Sequence, residues 1–169
     1  MTRLSVAIRP PAEIVAVLAG LPRGPLPGVS WSTPEQWLVK LRPLGHVPEP
    51  LVRPLVTALA AELDGMPPVA CVLGPATRRM RGQWLGAPVT GLDDLAAVVF
   101  EATAGLVPVT HPQPFQADAV LARGRVPAAL AGRPVAAEWV ADAVVLVADR
   151  SAPGRPRLED LATFRLDGP

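Results

Sequence analysis

Hydrophobic and polar residues alternate along residues 36–45, and this pattern predicts a β-strand with two different faces. One face is uniformly apolar, and the other carries two cations. The apolar face is formed by Trp37, Val39 and Leu41. The opposite face is formed by Leu38, Lys40 and Arg42. Such a strand is expected to have its back against helices and its front open to a cleft.

A second stretch, residues 115–123, alternates in a similar way in the other half of the chain. One face is formed by Ala117, Ala119 and Leu121, and the other by Asp118, Val120 and Ala122. Leu38 and Asp118 hold corresponding places in the two stretches and lie 80 residues apart in a chain of 169. This spacing indicates an internal duplication, with one such strand in each half.

The order of the remaining elements predicts an α/β or α+β sandwich. Helices are predicted over residues 12–21, 49–63 and 92–106, with a short one over 127–131. Strands are predicted over residues 3–9, 69–73, 80–84, 137–148 and 161–166. The 22 prolines are spread along the chain and mark many turns, so we expect one domain without a separate linker.

Composition narrows the class of protein. No apolar run approaches the roughly 20 residues of a membrane span. The short apolar N-terminal segment is followed at once by charge, unlike a secretory signal, so we expect a cytoplasmic protein. The formal net charge is +1, and any contact with nucleic acid therefore has to come from a local patch. The single cysteine, Cys71, lies in an apolar run and is expected to be a buried hydrophobe.

The two alternating stretches resemble the paired signature strands of the 2H phosphoesterase superfamily, in its branch of RNA 2′,3′-cyclic phosphodiesterases and 2′-5′ RNA ligases. Each half of that family carries a His-x-Thr or His-x-Ser motif, in frames such as Trp-His-Val-Thr-Leu-Arg-Phe-Leu-Gly and Phe-x-x-His-Leu-Thr-Leu-Ala-Arg. Residues 37–45 read Trp-Leu-Val-Lys-Leu-Arg-Pro-Leu-Gly, and residues 115–123 read Phe-Gln-Ala-Asp-Ala-Val-Leu-Ala-Arg. The frames match, but Leu38 and Asp118 replace both histidines, and Lys40 and Val120 replace both hydroxyl residues.

The resemblance covers nearly the whole chain and implies an α+β, bilobal fold. In the family, two lobes related by a pseudo-two-fold axis enclose a V-shaped cleft, and each lobe is a small antiparallel sheet backed by helices. The lead-in to the first motif also matches the family, at Trp31, Pro34, Glu35 and Trp37. The resemblance therefore implies that residues 1–169 form a single 2H phosphoesterase-like domain of two interleaved lobes.

The replacements remove the chemistry that the family's motifs supply. There, one histidine takes a proton from the attacking oxygen, the other gives one to the leaving oxygen, and the hydroxyls hold the phosphate. Leu38 can neither donate nor accept a proton, Val120 has no hydroxyl, and Asp118 as a base would repel an anionic phosphate. We therefore expect the family's reaction to be absent or nearly so, with no cofactor and no metal-ligand spacing in its place. Lys40 and Asp118 are hypothesised to form an ion pair across the former active site.

Several other side chains are candidates for ligand contacts. Arg42 follows the first motif on the cleft face and is a candidate to hold a phosphate oxygen, although a structural salt bridge is the commoner role. Arg123 ends the second motif, and alternation puts it on the face opposite Asp118 unless a bulge intervenes. Trp84 resembles a family aromatic that stacks on a base, although a lone tryptophan is more often packing. The ligand-binding candidates are thus Lys40, Arg42, Trp84, Asp118 and Arg123.

Two further groups of side chains are weaker candidates. Arg78, Arg79 and Arg81 form a basic cluster that fits either steering of RNA or a solvated strand face. His46 and His111 lie in proline-containing loops outside the motif frames, and we do not expect them to be catalytic.

Three functions fit these residues. The first is a catalytically degenerate 2H-fold protein that acts as a binding or interaction module for RNA or a nucleotide. The second is an active enzyme on a phosphodiester, such as an RNA 2′,3′-cyclic phosphate, or on a new substrate, with Lys40 and Asp118 as acid, base or anion-holding groups. The third is a structural protein whose outer surface docks another protein. The expected partners are a nucleotide, an RNA end or a small molecule in the cleft, or another protein, with no membrane and no metal.

Overall fold

The computed structural model describes residues 1–80, 83–110 and 112–169, which form an antiparallel α+β fold, as predicted. The α-helices of this part of the chain are α1 (Ala12–Ala19), α2 (Val52–Leu63) and α3 (Asp93–Thr103). Its strands are β1 (Thr2–Ile8), β2 (Val29–Trp31), β3 (Val39–Val47), β4 (Val69–Leu73), β5 (Arg78–Met80), β6 (Trp84–Thr90), β7 (Asp118–Gly124), β8 (Ala137–Ala141), β9 (Ala143–Asp149) and β10 (Leu158–Arg165). Short 3₁₀ turns cover Pro34–Gln36, Glu49–Leu51 and Ala128–Leu130.

The strands pair in one curled sheet that consists of two half-sheets. Their order is β10-β9-β1-β3-β7-β6-β4-β8, with β2 added to β7 and β5 added to β6. The halves meet between β3 and β7, where Val39 pairs with Ala119. The two signature strands come from opposite halves of the sequence and are neighbours at the centre of the sheet.

Helices cover one face of the sheet, and the main core lies beneath them. Helix α3 packs on β3, α2 packs on α3 and β10, and α1 contacts β8 in the other half-sheet. The apolar faces predicted for the signature strands are buried in this core through Trp37, Val39, Leu41, Ala117, Ala119 and Leu121. Cys71 is buried there as well, as its apolar surroundings predict. No helix among the described residues is long and apolar enough to cross a bilayer.

Residues 137–148 form two strands rather than the single strand that their β-branched run predicts. Strand β8 pairs with β4 in one half-sheet, and β9 pairs with β1 and β10 in the other. The chain crosses between the halves at Asp142, whose carbonyl accepts a hydrogen bond from the Leu166 amide at 2.8 Å. Both strands consist mainly of apolar residues, so the hydrophobic pattern of the sequence does not show that the chain passes from one half-sheet to the other.

The single strand predicted over residues 80–84 is also wrong, because this stretch joins two paired strands. Strand β5 ends at Met80, β6 begins at Trp84, and these two residues pair with each other. Arg81 and Gly82 lie outside the described residues. Strand β6, which the sequence did not predict, lies between β5 and β7 and contributes to the candidate site.

Candidate functional site

The four motif positions lie at the centre of the sheet on the side opposite the helices, which we call the cleft face. These positions are Leu38, Lys40, Asp118 and Val120. Because Val39 pairs with Ala119, the antiparallel register sets Lys40 opposite Asp118. Each motif position is adjacent in sequence to a core-facing residue, and its side chain therefore points away from the core. The structure brings positions 38 and 118 to one site, as the duplicated pattern predicts.

Leu38 belongs to an apolar cluster of its own. It is only 6% exposed and packs with Ala7, Val145 and Val147, with Leu158 against the same cluster. These neighbours come from β1, β9 and β10, and their apolar side chains surround Leu38. None of the side chains in this cluster can donate or accept a proton.

Asp118 is held by an arginine from β5. Both carboxylate oxygens accept hydrogen bonds from Arg78, with Nε to Oδ1 at 3.0 Å and Nη2 to Oδ2 at 2.9 Å. The Asp118 side chain is 1% exposed and the Arg78 side chain is 43% exposed, so a buried carboxylate is joined to a cation that reaches the surface. The hydrogen bond to Asp118 raises the pKa of Arg78. Arg78 is therefore a partner of Asp118 that the sequence-based hypothesis, which paired Asp118 with Lys40, did not include.

Gly86 makes room for this ion pair. In the sheet register Arg78 lies beside Gly86, and Gly86 lies beside Val120 of β7. A Cβ atom at Gly86 would come within 3.2 Å of both the Cβ and the Oδ1 atoms of Asp118, and within 2.5 Å of Met80 Sδ. A bare backbone at this point lets Arg78 reach across β6 to the carboxylate. Sequence reasoning missed this role because the glycine lies in a strand that was not predicted.

Lys40 interacts electrostatically with the carboxylate of Asp149 in β9. Burial opposes the ionisation of Asp149 in β9, but hydrogen bonds from Ser151 and the charges of Arg3 and Lys40 outweigh it and lower the pKa of Asp149. The Ser151 amide donates to Asp149 Oδ1 at 2.9 Å. The charge of Lys40 therefore helps to keep Asp149 ionised.

A β-bulge moves Arg42 away from the cleft face, where strict alternation had placed it. Val6 of β1 pairs with Arg42, and the next residue, Ala7, pairs with Lys40. Leu41 is therefore an extra residue in β3, and the side chain that follows it changes face.

Arg42 is buried on the helix side and ties β3 to α3. Its Nη1 donates to Thr103 Oγ1 at 2.6 Å, and its Nη2 donates to the Val107 carbonyl at 2.5 Å. The guanidinium carbon lies 5.4 Å from the centre of the Phe100 ring, and burial lowers the pKa of Arg42. The expectation that Arg42 points to the cleft face is wrong, because the bulge directs its side chain to these structural contacts.

A second bulge has the opposite effect on Arg123. Residues 85 and 86 of β6 pair with residues 122 and 120 of β7, so Leu121 is an extra residue. Arg123 therefore returns to the cleft face, where its guanidinium carbon lies 4.9 Å from the ring centre of Trp84 in β6. The sequence placed Arg123 on the cleft face only if a bulge intervened, and this bulge is present. Trp84 and Arg123 therefore lie together on that face.

Among the described residues of the basic cluster, one has a hydrogen-bonded contact with a motif position. That residue is Arg78; Arg79 is exposed in the same strand, and Arg81 lies outside the described residues. His46 is exposed near the end of β3, not in a loop as expected, and His111 falls outside the described part of the chain. Over the described residues, no three His, Cys, Asp or Glu side chains are grouped so that they could hold a metal ion.

Solved structures of known proteins match the fold of this chain. No family model and no curated protein matches the sequence. TT0787 of Thermus thermophilus matches with a TM-score of 0.82 at 23% identity, and E. coli LigT complexed with 3′-AMP matches with 0.82 at 22%, each over 98% of both chains. A solved phosphoesterase matches with 0.79 at 23% identity over 99% of both chains. Other matching structures of E. coli LigT are complexes with NADP⁺, ATP or phosphate. The chain therefore has the fold of the LigT-like 2H phosphoesterases, which its two central strands resemble in sequence.

Proposed function

We propose that this chain is a catalytically degenerate 2H phosphoesterase-like protein that binds a nucleotide or an RNA end in its cleft without turning it over. The main support is the state of the two positions where the family has histidine. Leu38 lies in an apolar cluster, and Asp118 is bound on both oxygens by Arg78. Neither position offers a side chain ready to exchange a proton with a substrate.

The absence of both groups is expected to lower the rate of the family's reaction greatly. A general acid or base typically contributes about 10²–10⁴ in rate, and the family's reaction uses one of each. Leucine has no ionisable group. The Asp118 side chain is 1% exposed and both of its oxygens already accept hydrogen bonds from Arg78, so a substrate oxygen has little access to it. We therefore expect the phosphodiesterase reaction to be abolished while the shape of the cleft is retained.

The groups that remain on the cleft face suit a nucleotide. Arg123 lies over the half-buried ring of Trp84 in β6. Planar guanidinium groups bind phosphate oxygens in pairs, and stacking on an aromatic ring contributes about 1–3 kcal/mol per base. The LigT complexes with 3′-AMP, ATP and NADP⁺ make a nucleotide the ligand class to test first.

Binding is tested by calorimetric titration of the purified protein with 3′-AMP. Trp84→Ala and Arg123→Ala are expected to weaken binding roughly fivefold or more, since stacking contributes about 1–3 kcal/mol. Arg53→Ala, which removes the same charge from the surface of α2, is the matched control and should bind like the wild type. Absence of nucleotide binding to the wild type would overturn the proposal and favour a protein-docking role.

Catalysis is tested by hydrolysis of 2′,3′-cyclic AMP. The wild type is expected to show no turnover. A variant with the family's groups restored is the comparison: Leu38→His, Lys40→Thr, Asp118→His and Val120→Thr, with Arg78→Gln added because that arginine would otherwise face an imidazole. Wild-type turnover that disappears in Lys40→Ala and Asp118→Ala would instead establish an enzyme that uses these two residues.

A further inference from the structure

We propose that Asp118 fills the anion position of a phosphate subsite centred on Arg78 and thereby keeps this cation from a ligand's phosphate. The proposal deepens the proposed function, on which it rests for the identity of the nucleotide. The geometry of the Arg78–Asp118 pair carries it. It makes position 118 a determinant of how strongly the cleft binds phosphate groups.

The pair has the form of an arginine that recognises an oxyanion. Arg78 presents Nε and Nη2 side by side, and each nitrogen donates to a different carboxylate oxygen at 3.0 Å and 2.9 Å. The same two parallel N–H groups bind two oxygens of a phosphate in the same way. The carboxylate of Asp118 therefore occupies the place that a phosphate would take on this edge of the guanidinium.

The surroundings of the pair favour the internal anion. Asp118 is almost wholly buried, while Arg78 is partly exposed on the cleft side of β5. Gly86 beneath them has no side chain that would keep the two groups apart. A phosphate that approaches from solvent has to displace two charge-assisted hydrogen bonds in order to form two, and this exchange brings little net gain.

Removal of the Asp118 charge is expected to release the subsite. In Asp118→Asn, Arg78 keeps its position but loses the anion that neutralises it. A phosphate can then form charge-assisted hydrogen bonds with Arg78 without displacing an internal anion, so we expect affinity for phosphate and for 3′-AMP to rise about tenfold or more. Affinity for adenosine, which has no phosphate, is expected to stay unchanged.

The experiment is a calorimetric titration of three proteins with inorganic phosphate, 3′-AMP and adenosine at one fixed ionic strength. The proteins are the wild type, Asp118→Asn and the double variant Arg78→Gln/Asp118→Asn. The double variant is expected to lose the gain, because the cation that provides it is gone. Asp142→Asn makes the same change in net charge at a side chain that is 71% exposed, and it should bind all three ligands like the wild type.

Two results would overturn the inference. One is an Asp118→Asn protein that binds phosphate no better than the wild type, and the other is a gain that persists after Arg78→Gln. If Asp118→Asn does not fold by circular dichroism, Asp118→Ser, which is smaller and also neutral, takes its place with the same expectations. A gain for phosphate without nucleotide binding by any variant would support the subsite and overturn the proposed function. Nucleotide binding without that gain would do the reverse.

Discussion

Leu41 in β3 and Leu121 in β7 are both the extra residue of a β-bulge, and they lie 80 residues apart, the same spacing as Leu38 and Asp118. Each bulge comes three residues after a motif position and turns the residue that follows it toward the core. The two stretches therefore share a backbone irregularity as well as the alternating pattern. Bulges of this kind re-aim side chains beside functional sites.

The two bulges give Arg42 and Arg123 opposite roles. Arg42→Ala is expected to lower the free energy of unfolding by about 2–4 kcal/mol, because one buried and one partly buried hydrogen bond from a charged group are lost. It should leave the affinity for 3′-AMP unchanged, whereas Arg123→Ala should mainly weaken binding. Urea denaturation and calorimetric titration of both variants separate the two effects. Weaker nucleotide binding by a fully stable Arg42→Ala protein would contradict the assignment.

Leu38 is expected to stabilise the fold through its packing in an apolar cluster. Leu38→Ala should lower the free energy of unfolding by about 2–4 kcal/mol, because it removes buried methyl groups from a packed apolar cluster. Val140→Ala, at a side chain that is 62% exposed, is the control and should change stability by about 0.5 kcal/mol or less. Equal effects of the two substitutions in urea denaturation would show that the Leu38 cluster contributes little to stability.

The two partners of the buried ion pair are expected to differ in the cost of their removal. Arg78→Ala leaves a buried carboxylate without its partner and should cost about 3–5 kcal/mol. Asp118→Ala leaves a cation that water can reach, and it should cost about 1 kcal/mol, as for exposed pairs. Arg9→Ala, which breaks an exposed pair with Asp160, calibrates the exposed case. The prediction fails if urea denaturation gives equal costs for Arg78→Ala and Asp118→Ala.

A side chain at Gly86 is expected to disturb the ion pair. In Gly86→Ala the added methyl group would crowd Met80 and Asp118, and we expect a loss of about 1–3 kcal/mol in the free energy of unfolding. The control is Gly105→Ala, where an added Cβ meets no atom within 4 Å. A Gly86→Ala protein as stable as the wild type would mean that the strands have room to adjust.

Asp149 is expected to make stability depend on pH in the acid range. Its pKa in the folded protein is below the ordinary value of 3.8, so its contribution is present above that value and is lost as the pH falls through the folded pKa. Asp149→Asn should therefore be less stable than the wild type at neutral pH, and the difference should shrink below pH 3.8. Urea denaturation of both proteins across this range measures the difference, and a gap that stays constant with pH would contradict the assignment.

Local periodicity was enough to predict much of this fold. Burial of Trp37 and Val39 follows from alternation alone, because a strand residue and its second neighbour share a face. The helices α1, α2 and α3 lie within the stretches whose apolar spacing predicts them. The same reasoning failed for residues 137–148, because alternation does not reveal that Asp142 marks a crossing between half-sheets.

Residue identity, spacing and the resemblance to the family were sufficient to predict that positions 38 and 118 correspond, that they share a face away from the main core, and that neither carries the family's imidazole. These properties depend on residue type and on neighbours along one strand. The burial of Arg42, the position of Arg123 over Trp84 and the binding of Asp118 by Arg78 became visible only in the folded chain. A bulge exists only relative to the strand beside it, and the partner of Asp118 lies 40 residues away on a strand brought near by sheet pairing. Contacts of this kind arise from the packing of distant segments, and no pattern within one segment specifies them.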